Sequence, residues 1–249
     1  MAMNSAQMTV LSTISHAHQQ HTPLLVALLD PDKQMVYPSL LPYLKDVDMV
    51  FVGGSTGRSA DACVAQLRAH TDAPVVLFPG NIDQLCLSAD AILYLSLLNS
   101  RKAEFLIEPH IRTALPLLQS GIELISMGYI LLDGGRRSAV EIVSNCQPLA
   151  CSDIEAIRSH AAAGQLLGKQ LIYLEAGSGA RTPIPAQVIQ AVRDTIDVPL
   201  IVGGGISSIE QMLSAFQAGA DIVVIGNHFE QNPQQLPLFI QAKNDYANR

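Results

Sequence analysis

The 249-residue sequence contains little charge: Asp, Glu, Lys and Arg make up 15% of it, against 49% hydrophobic residues. This composition excludes an intrinsically disordered polypeptide, because enough apolar surface is present to form a core. Basic residues are not in excess, and the net charge of −7 argues against nucleic acid as the main partner. A phosphorylated ligand stays compatible with this charge, since one bound phosphate needs only local donors.

Long hydrophobic runs and paired cysteines are missing as well. No stretch reaches the roughly 18 uninterrupted apolar residues that a membrane-spanning helix needs. Residues 1–21 are polar and rich in histidine, without the features of a secretion signal, so we expect a flexible N-terminal segment there. The four cysteines contain no C-x-x-C pair, which favours reduced, structural thiols in a cytoplasmic protein.

Apolar segments of strand length alternate with longer amphipathic segments. A nearly continuous apolar run is typical of a parallel strand that helices cover. The alternation predicts a single domain over residues 1–249 of the α/β class, a (β/α)8 barrel of the TIM type, with an open doubly wound sheet as the alternative. The predicted strands are 24–29, 49–52, 75–78, 92–97, 123–127, 171–174, 200–202 and 222–225.

The amphipathic segments predict six helices. Ser152 followed by Glu155 has the spacing of a capping box, and Gly168 and Gly219 stand where helices commonly end. The helices are expected at 60–70, 103–119, 153–168, 185–195, 208–218 and 235–247.

Two connections depart from a regular barrel. Only residues 79–91 separate the third strand from the fourth, so the third helix must be shortened or missing. The connection 128–150 is long by contrast. Its Asp-Gly-Gly at 133–135 stands between the apolar segments 129–132 and 139–143, which predicts an added hairpin after strand 5.

Glycines follow the last three predicted strands, at 177 and 179, at 203–205 and at 226. In such a barrel the active site lies at the carboxyl-terminal ends of the strands. Glycine lets a phosphate approach backbone N–H groups, and the N-terminus of the next helix adds a favourable dipole. The three adjacent loops therefore favour a phosphate site, with tight turns at strand–helix junctions as the alternative.

Carboxylates stand at the ends of the first and sixth predicted strands. Asp30 is placed to hold a Mg²⁺ that bridges phosphate oxygens, or to cap the next turn. Glu175 is placed to act as general base for a substrate hydroxyl, or to pair with Lys33 or Arg181. Ser55, in the glycine-lined exit of the second strand, is a candidate ligand or helix cap.

Six segments together resemble the geranylgeranylglyceryl phosphate synthase family, including its PcrB-type bacterial members. The most specific is the Tyr-Leu-Glu sequence joined to a Ser-Gly loop at 173–179. The others lie at 29–33, 52–55, 94–100, 203–206 and 224–227. The resemblance extends over residues 24–227 and includes the short third helix.

The resemblance implies a prenyltransferase of lipid biosynthesis. Such an enzyme transfers a long prenyl group, most often geranylgeranyl, from its diphosphate to the C3 hydroxyl of sn-glycerol 1-phosphate with Mg²⁺. Asp30 and Ser55 would hold the metal, and Glu175 and Tyr173 would be catalytic. The glycerol phosphate would be bound by Tyr173, Leu174, Glu175, Ala176, Gly177, Ser178, Gly179, Gly203, Gly204, Gly205, Gly226 and Asn227.

The resemblance also implies a homo-oligomer without a transmembrane segment, whose contact with a membrane surface would be transient. An apolar groove for the prenyl chain would be lined by residues 92–98 and the helix around Phe105, although core packing explains these residues equally well. One position departs from the family: Leu28 stands where some members have a lysine that binds phosphate. Lys33 and Arg181 are the candidates to replace that cation.

Two other functions fit the same residues. One is another phosphate-binding barrel enzyme, such as a phosphosugar isomerase or synthase, which would need no lipid groove. The other is a non-catalytic barrel that binds a phosphorylated metabolite. Asp30 and Glu175 at separate strand ends favour catalysis, because binding alone requires neither a metal nor a base.

Overall fold

Eight parallel strands form a closed barrel in the computed structural model, which describes residues 8–33, 37–54 and 59–248. Each strand pairs with the next along the chain, and the last pairs with the first. This order confirms the predicted barrel and excludes the open sheet. The strands are β1 Leu24–Leu29, β2 Met49–Val52, β3 Val75–Leu77, β4 Ala91–Leu97, β5 Glu123–Leu131, β6 Leu171–Glu175, β7 Leu200–Gly203 and β8 Ile222–Ile225.

Helices cover the outer face of the barrel. Five of the six predicted helices agree with the structure to within two residues at each end, and the segment 103–119 divides into a 3-10 turn and a helix. The α-helices are α1 Val10–Gln19, α2 Asp61–Arg68, α3 Glu108–Ser120, α4 Ala139–Ser144, α5 Ile154–Leu166, α6 Ala186–Arg193, α7 Ile209–Gln217, α8 Asn227–Gln231 and α9 Leu236–Ala247. The 3-10 turns are Tyr37–Ser39, Leu41–Asp46, Ile82–Gln84, Ala103–Phe105 and Pro233–Gln235.

The connection between β3 and β4 contains one 3-10 turn, Ile82–Gln84, in place of a helix. The turn begins at Asn81, whose side chain accepts the backbone N–H of Asp83 at 2.9 Å. The prediction of a missing third helix is therefore confirmed. Ile82 of this turn and Tyr94 of β4 both line the pocket described below.

The predicted hairpin after β5 is wrong. β5 continues to Leu131 in parallel register with β4 and β6, and the second half of the supposed hairpin is helix α4. Ser138 caps α4 by accepting the N–H of Glu141 at 3.2 Å. This Ser-x-x-Glu start outweighs the β-propensity of the apolar residues after it.

The cap predicted for α5 is displaced by one residue. Asp153 rather than Ser152 caps this helix, and its Oδ1 accepts the N–H of Ala156 at 3.1 Å. Aspartate caps as well as serine does, and Asp153 directly precedes the first helical residue. The helix ends predicted at Gly168 and Gly219 are confirmed, since both residues follow a helix with positive φ angles of 81° and 100°.

The flexible segment predicted for residues 1–21 is wrong for the part that the structure describes, because α1 forms there; residues 1–7 lie outside the described residues. Val10, Ile14 and Ala17 of α1 are buried against the barrel interior. Glu123, at the start of β5, accepts the N–H of Val10 at 2.8 Å and that of Leu11 at 2.9 Å. The apolar spacing 10, 14, 17 was the available signal, and the surrounding histidines obscured it.

Two apolar layers hold the barrel together. Alternate strand residues such as Val26, Phe51 and Met127 fill the interior, which α1 closes at the amino-terminal end. The remaining strand residues, such as Leu25 and Ile172, pack against the surrounding helices. This arrangement places the polar ends of β1, β6, β7 and β8 together at the open end.

All four cysteines are free, and three of them are buried, which agrees with the prediction of structural thiols. Burial raises the pKa of the Cys63 thiol to about 12, so this cysteine stays protonated and unreactive. In the described part of the chain no helix is both long enough and apolar enough to cross a membrane.

Candidate functional site

The loops after β6, β7 and β8 meet at the open end of the barrel, where the glycine pattern predicts them. The N–H of Ala176 donates to the carbonyl of Gly203 at 3.0 Å, which joins the first loop to the second. The Nδ2 of Asn227 donates to Ser178 Oγ at 3.2 Å, which joins the first loop to the third. The three loops therefore form one continuous polar surface.

Most of the predicted phosphate residues face the pocket beside this surface, but some do not. Leu174 packs its side chain among the helices of the outer layer. The predicted residues that line the pocket are Tyr173, Glu175, Ser178, Gly179, Gly204, Gly205, Gly226 and Asn227; those that do not line it are Leu174, Ala176, Gly177 and Gly203.

Gly204 and Gly205 hold the middle loop in a conformation that other residues rarely adopt, with φ angles of +84° and +73°. A Cβ on Gly204 would lie 2.5 Å from Glu175 Oε1 and 2.8 Å from the nitrogen of Ala176. The protein's own packing therefore requires this glycine, independently of any ligand. Its missing side chain keeps the Glu175 carboxylate accessible from the pocket.

Glu175, at the end of β6, is buried although it carries a carboxylate. Its Oε1 accepts the N–H of Gly177 at 2.7 Å. Burial raises the pKa of this carboxyl above its ordinary value, and the Tyr173 hydroxyl and the Gly177 N–H oppose the rise. Among the described residues Glu175 forms no ion pair, so pairing with Lys33 or Arg181 does not explain its position.

Tyr173 lies two residues before Glu175 on the same face of β6, so it is deeper in the barrel, toward the amino-terminal end of the strand. Its buried hydroxyl lies near the Glu175 carboxylate but makes no well-aligned hydrogen bond within the described residues. Gly203, on the neighbouring strand, leaves the space for it, because a Cβ there would collide with the hydroxyl. Burial and then the charge of Glu175 raise the pKa of Tyr173 well above its ordinary value, so the hydroxyl stays a donor.

Asp30, at the end of β1, lines the same pocket. Its Oδ1 accepts the N–H of Asp32 at 3.0 Å, so this residue does cap the turn that follows it. Burial raises the pKa of the carboxyl, whereas the Asp32 N–H and the charge of Lys33 lower it. A side chain on Gly54 would collide with the carboxylate, so the second strand also leaves room for Asp30. Turn capping and metal binding are therefore compatible.

The residues present fit a magnesium ion that substrate helps to hold. Mg²⁺ in phosphate sites usually takes one or two carboxylates and completes its coordination with phosphate oxygens and water. Asp30 supplies one carboxylate at the pocket. In residues 8–33, 37–54 and 59–248 no group of three acidic, histidine or cysteine side chains is arranged to bind an ion alone. Ser55, the second predicted ligand, lies outside the described residues.

Lys33 is engaged with other protein groups. Its Nζ lies 2.6 Å from Glu230 Oε2 and 3.1 Å from Asn227 Oδ1. Because the amide oxygen of Asn227 faces Lys33, its Nδ2 is turned toward Ser178 and Gly179. Lys33 therefore orients the amide of Asn227 in the loop after β8, and the buried Glu230 neutralises its charge.

The pocket has a volume of about 550 Å³ and continues from the polar loops into an apolar part. This volume lies in the range of small-ligand sites. Side chains of β4 and Phe105 line the apolar part, where the sequence predicted a groove, and the missing third helix leaves it open. Its apolar lining includes Phe78, Ile82, Leu85, Ile92, Leu93, Leu95, Leu97 and Phe105.

Three further residues of the pocket escaped the sequence predictions. The rings of Phe78 and Tyr129 lie 5.5 Å and 5.3 Å from that of Tyr173 and form an aromatic floor with it. Their positions at the ends of strands were the available signal. Arg136 also lines the pocket, and it was missed because its segment was interpreted as a hairpin.

Comparison with known proteins gives a consistent result. A model of the PcrB family matches residues 17–243. The geranylgeranylglyceryl phosphate synthase of Zunongwangia profunda is 46% identical over 226 residues, which are 89% of this chain and 97% of that protein. The synthase of the same name from Thermococcus kodakarensis is 40% identical over 230 residues, with 89% of this chain and 90% of that protein covered.

A solved structure shares the fold as well. It is (S)-3-O-geranylgeranylglyceryl phosphate synthase from Thermoplasma acidophilum in complex with its substrate sn-glycerol-1-phosphate. The TM-score is 0.88 at 30% identity, and the match covers 96% of this chain and 100% of that one.

Proposed function

This chain belongs to the PcrB family, and on that premise we propose that it is a prenyltransferase that alkylates the C3 hydroxyl of sn-glycerol 1-phosphate. The donor is a long-chain prenyl diphosphate, with geranylgeranyl diphosphate as the first candidate. The observation that carries the proposal is one pocket lined both by Glu175 with its glycine-rich loops and by the apolar side chains of β4. Its polar part suits a phosphate, and its apolar part suits a hydrocarbon chain.

The glycerol phosphate binds to the loops after β6, β7 and β8. The backbone N–H groups of Gly179, Gly204 and Gly205, together with the Nδ2 of Asn227, supply donors for the phosphate, because the nearby N–H groups of Ala176 and Gly177 already donate to Gly203 and Glu175. The Tyr173 hydroxyl, which is buried and without a well-aligned partner, donates to a glycerol oxygen. Donors at both ends of the small molecule fix which hydroxyl faces Glu175, so the site discriminates between the enantiomers of glycerol phosphate.

Glu175 accepts the proton of the C3 hydroxyl as that oxygen attacks the first carbon of the prenyl group. The bond from this carbon to the diphosphate oxygen breaks, and diphosphate leaves with the electron pair. A carboxyl with a raised pKa suits this role because it is a stronger base than an exposed glutamate. Asp30 would hold Mg²⁺ beside the leaving group, where the ion supplies stabilisation of the negative charge that develops there.

The apolar part of the pocket favours a lipid donor over a phosphosugar. A phosphosugar isomerase or synthase would leave the half-buried Leu95 and Phe105 facing the pocket without a ligand to cover them. A prenyl chain buries apolar surface there, at roughly 25 cal/mol for each Å² removed from water.

Incubation with radiolabelled sn-glycerol 1-phosphate and prenyl diphosphates of increasing length tests the proposal. We expect label in the butanol phase, dependence of the yield on chain length, and loss of the product when EDTA removes the metal. Calorimetry with the 1-phosphate and the 3-phosphate should show tighter binding of the first. Binding of glycerol 1-phosphate without turnover of any donor would indicate a non-catalytic barrel, and binding of a phosphosugar alone would indicate the other enzyme class.

A further inference from the structure

The segment 134–138 is packed directly against the loop that follows β6. The carbonyl of Gly134 accepts the N–H of Arg181 at 2.9 Å, and a side chain on Gly134 would collide with Ala176 and Ala180. At the other end of the segment, a Cβ on Gly177 would lie 2.5 Å from the Cβ of Ser138. Arg136 lies between these two contacts, so its backbone is held beside the phosphate loop.

The guanidinium of Arg136 points to the space that Gly179 leaves empty. Its NH1 lies 3.5 Å from the position of a Cβ on Gly179, and the Nδ2 of Asn227 lies 3.6 Å from the same point. Both residues line the pocket. A charged donor and a neutral donor therefore converge on one spot at the tip of the phosphate loop.

Arg136 is exposed and its guanidinium has no acceptor among the described residues, whereas two of the cations near it are engaged. Arg137 lies 3.5 Å from Glu141, and Lys33 lies 2.6 Å from Glu230. Arg181 also lines the pocket, and it contacts the segment through its backbone N–H and its Cβ. Arg136 is thus the pocket cation whose charged end the structure places at Gly179.

The electrostatics of the pocket favour such a cation. A phosphate monoester carries a charge of about −1.5 to −2 at neutral pH, and the pocket already contains the carboxylates of Asp30 and Glu175. The glycine loops offer only neutral N–H donors, and the charge of Lys33 is cancelled by Glu230. A guanidinium matches the geometry of a phosphate, to which it can donate two parallel hydrogen bonds.

We propose that Arg136 binds the phosphate of sn-glycerol 1-phosphate, together with Asn227, and so determines the affinity for the phosphorylated substrate. This assignment rests on the proposed function for the identity of the substrate, but it requires only a phosphate at the tip of the loop. Arg136 touches the phosphate and not the reacting hydroxyl, so its loss affects binding more than the chemical step.

Substitution of two neighbouring arginines tests this assignment. Arg136→Gln and Arg137→Gln remove the same charge from adjacent positions, but only the first removes a pocket donor. We expect Arg136→Gln to raise the Kd for glycerol 1-phosphate in calorimetry by about 10- to 100-fold, the usual effect of losing a charge-assisted hydrogen bond. Arg137→Gln should leave the Kd within about twofold, because an exposed ion pair contributes little. Arg136→Lys should recover part of the affinity.

The kinetic result should separate binding from catalysis. For Arg136→Gln we expect a higher KM for glycerol 1-phosphate and a kcat close to that of the wild type. An unchanged Kd in a folded Arg136→Gln variant would overturn the assignment, and so would a larger loss of affinity in Arg181→Gln. If the first variant does not fold, Arg136→Lys decides the question in the same way.

Inorganic phosphate, measured in parallel, distinguishes the two proposals. A wild-type protein that binds phosphate but not glycerol 1-phosphate contradicts the proposed function. In that case a loss of phosphate affinity in Arg136→Gln alone would still support the assignment, and equal phosphate affinity in the variants would overturn it.

Discussion

The two ends of the barrel treat their polar side chains in opposite ways. At the amino-terminal end, charged groups are paired with one another. Asp221 accepts from Arg193 at 3.0 Å and from the N–H of Leu200 at 2.7 Å, and it contacts His18 of α1 at 2.8 Å. Nearby, the nearly buried Lys243 donates to Asp48 at 2.7 Å.

At the carboxyl-terminal end Lys33 is paired with Glu230, but several other polar groups lack a complete set of protein partners. The Tyr173 hydroxyl is buried without a well-aligned hydrogen bond, the Arg136 guanidinium has no acceptor among the described residues, and Glu175 is buried without a cation. The two buried groups, Tyr173 and Glu175, cost stability in the absence of a ligand, whereas Arg136 is exposed and solvated.

This difference indicates that the amino-terminal end of the barrel contributes to stability and that the carboxyl-terminal end is suited to bind a ligand. A group that is left unsatisfied in a well-packed protein persists where a ligand completes it. The paired end closes the barrel and attaches α1 to it, whereas the unpaired end is open to the pocket. Substitutions at the two ends should therefore have separable effects on melting temperature and on activity.

The largest effect is expected for Glu175→Gln. The amide keeps the size of the side chain and can still accept the N–H of Gly177, but it cannot take a proton. We expect kcat to fall by roughly 10²–10⁴, the usual span for a positioned general base, while the Kd for glycerol 1-phosphate changes much less. Measurement of both constants decides the role, and a fully active variant would exclude Glu175 as the base.

A smaller effect, on stability alone, is expected for Asp221→Asn at the opposite end. The amide presents N–H groups or a neutral oxygen to Arg193 and His18, so the network loses its charge balance. We expect the free energy of unfolding to fall by about 3 kcal/mol, near the low end for a buried ion pair, with kcat per folded molecule unchanged. Urea denaturation measures this change. As a control, Glu155→Gln breaks an exposed pair with Arg158 and should leave the unfolding midpoint unaltered; a comparable loss there would contradict the comparison.

The smallest effect concerns the melting temperature of the same Glu175→Gln variant. Because the folded-state pKa of Glu175 is raised, this residue favours the folded state below its unfolded pKa, and that contribution is lost as the pH rises through the folded value. The variant should therefore melt at a higher temperature than the wild type near neutral pH, and the gap should close as the pH falls.

Thermal melts between about pH 4 and pH 8, a window that spans the ordinary and raised pKa values of a glutamate, measure this gap. Wild-type activity should decline over the same acidic range as Glu175 becomes protonated. A gap that does not change with pH would show that Glu175 is not a destabilising buried carboxylate.

Local patterns were enough for most of the fold. The strands and the missing third helix were predictable because apolar runs and the length of a connection are properties of short segments. Errors arose where two local signals competed. The apolar residues 139–143 resemble a strand, yet Ser138 and Glu141 start a helix. In α1 the histidines suggested a solvated tail, yet His18 lies against Asp221, some 200 residues away in the sequence.

The candidate site divides in the same way. The sequence predicted that the glycines after β6, β7 and β8 lie near the carboxylates of Asp30 and Glu175. This was possible because a closed barrel of parallel strands brings all carboxyl-terminal strand ends to one face. The sequence alone could not show why glycine is required at 204. A side chain there would collide with Glu175 Oε1 and with the nitrogen of Ala176. That collision depends on the pairing of β6 with β7 and not on either loop alone.

The sequence by itself therefore determined the barrel, the face on which the site lies and the kinds of residue that line it, because each follows from patterns within single elements. Only the tertiary structure decided which cation lies beside the glycine-rich loop after β6. Lys33, Arg136, Arg137 and Arg181 are equivalent as charges in the sequence. They differ because Glu230 and Glu141 engage two of them and because packing of the segment 134–138 on the β6 loop directs Arg136 to Gly179.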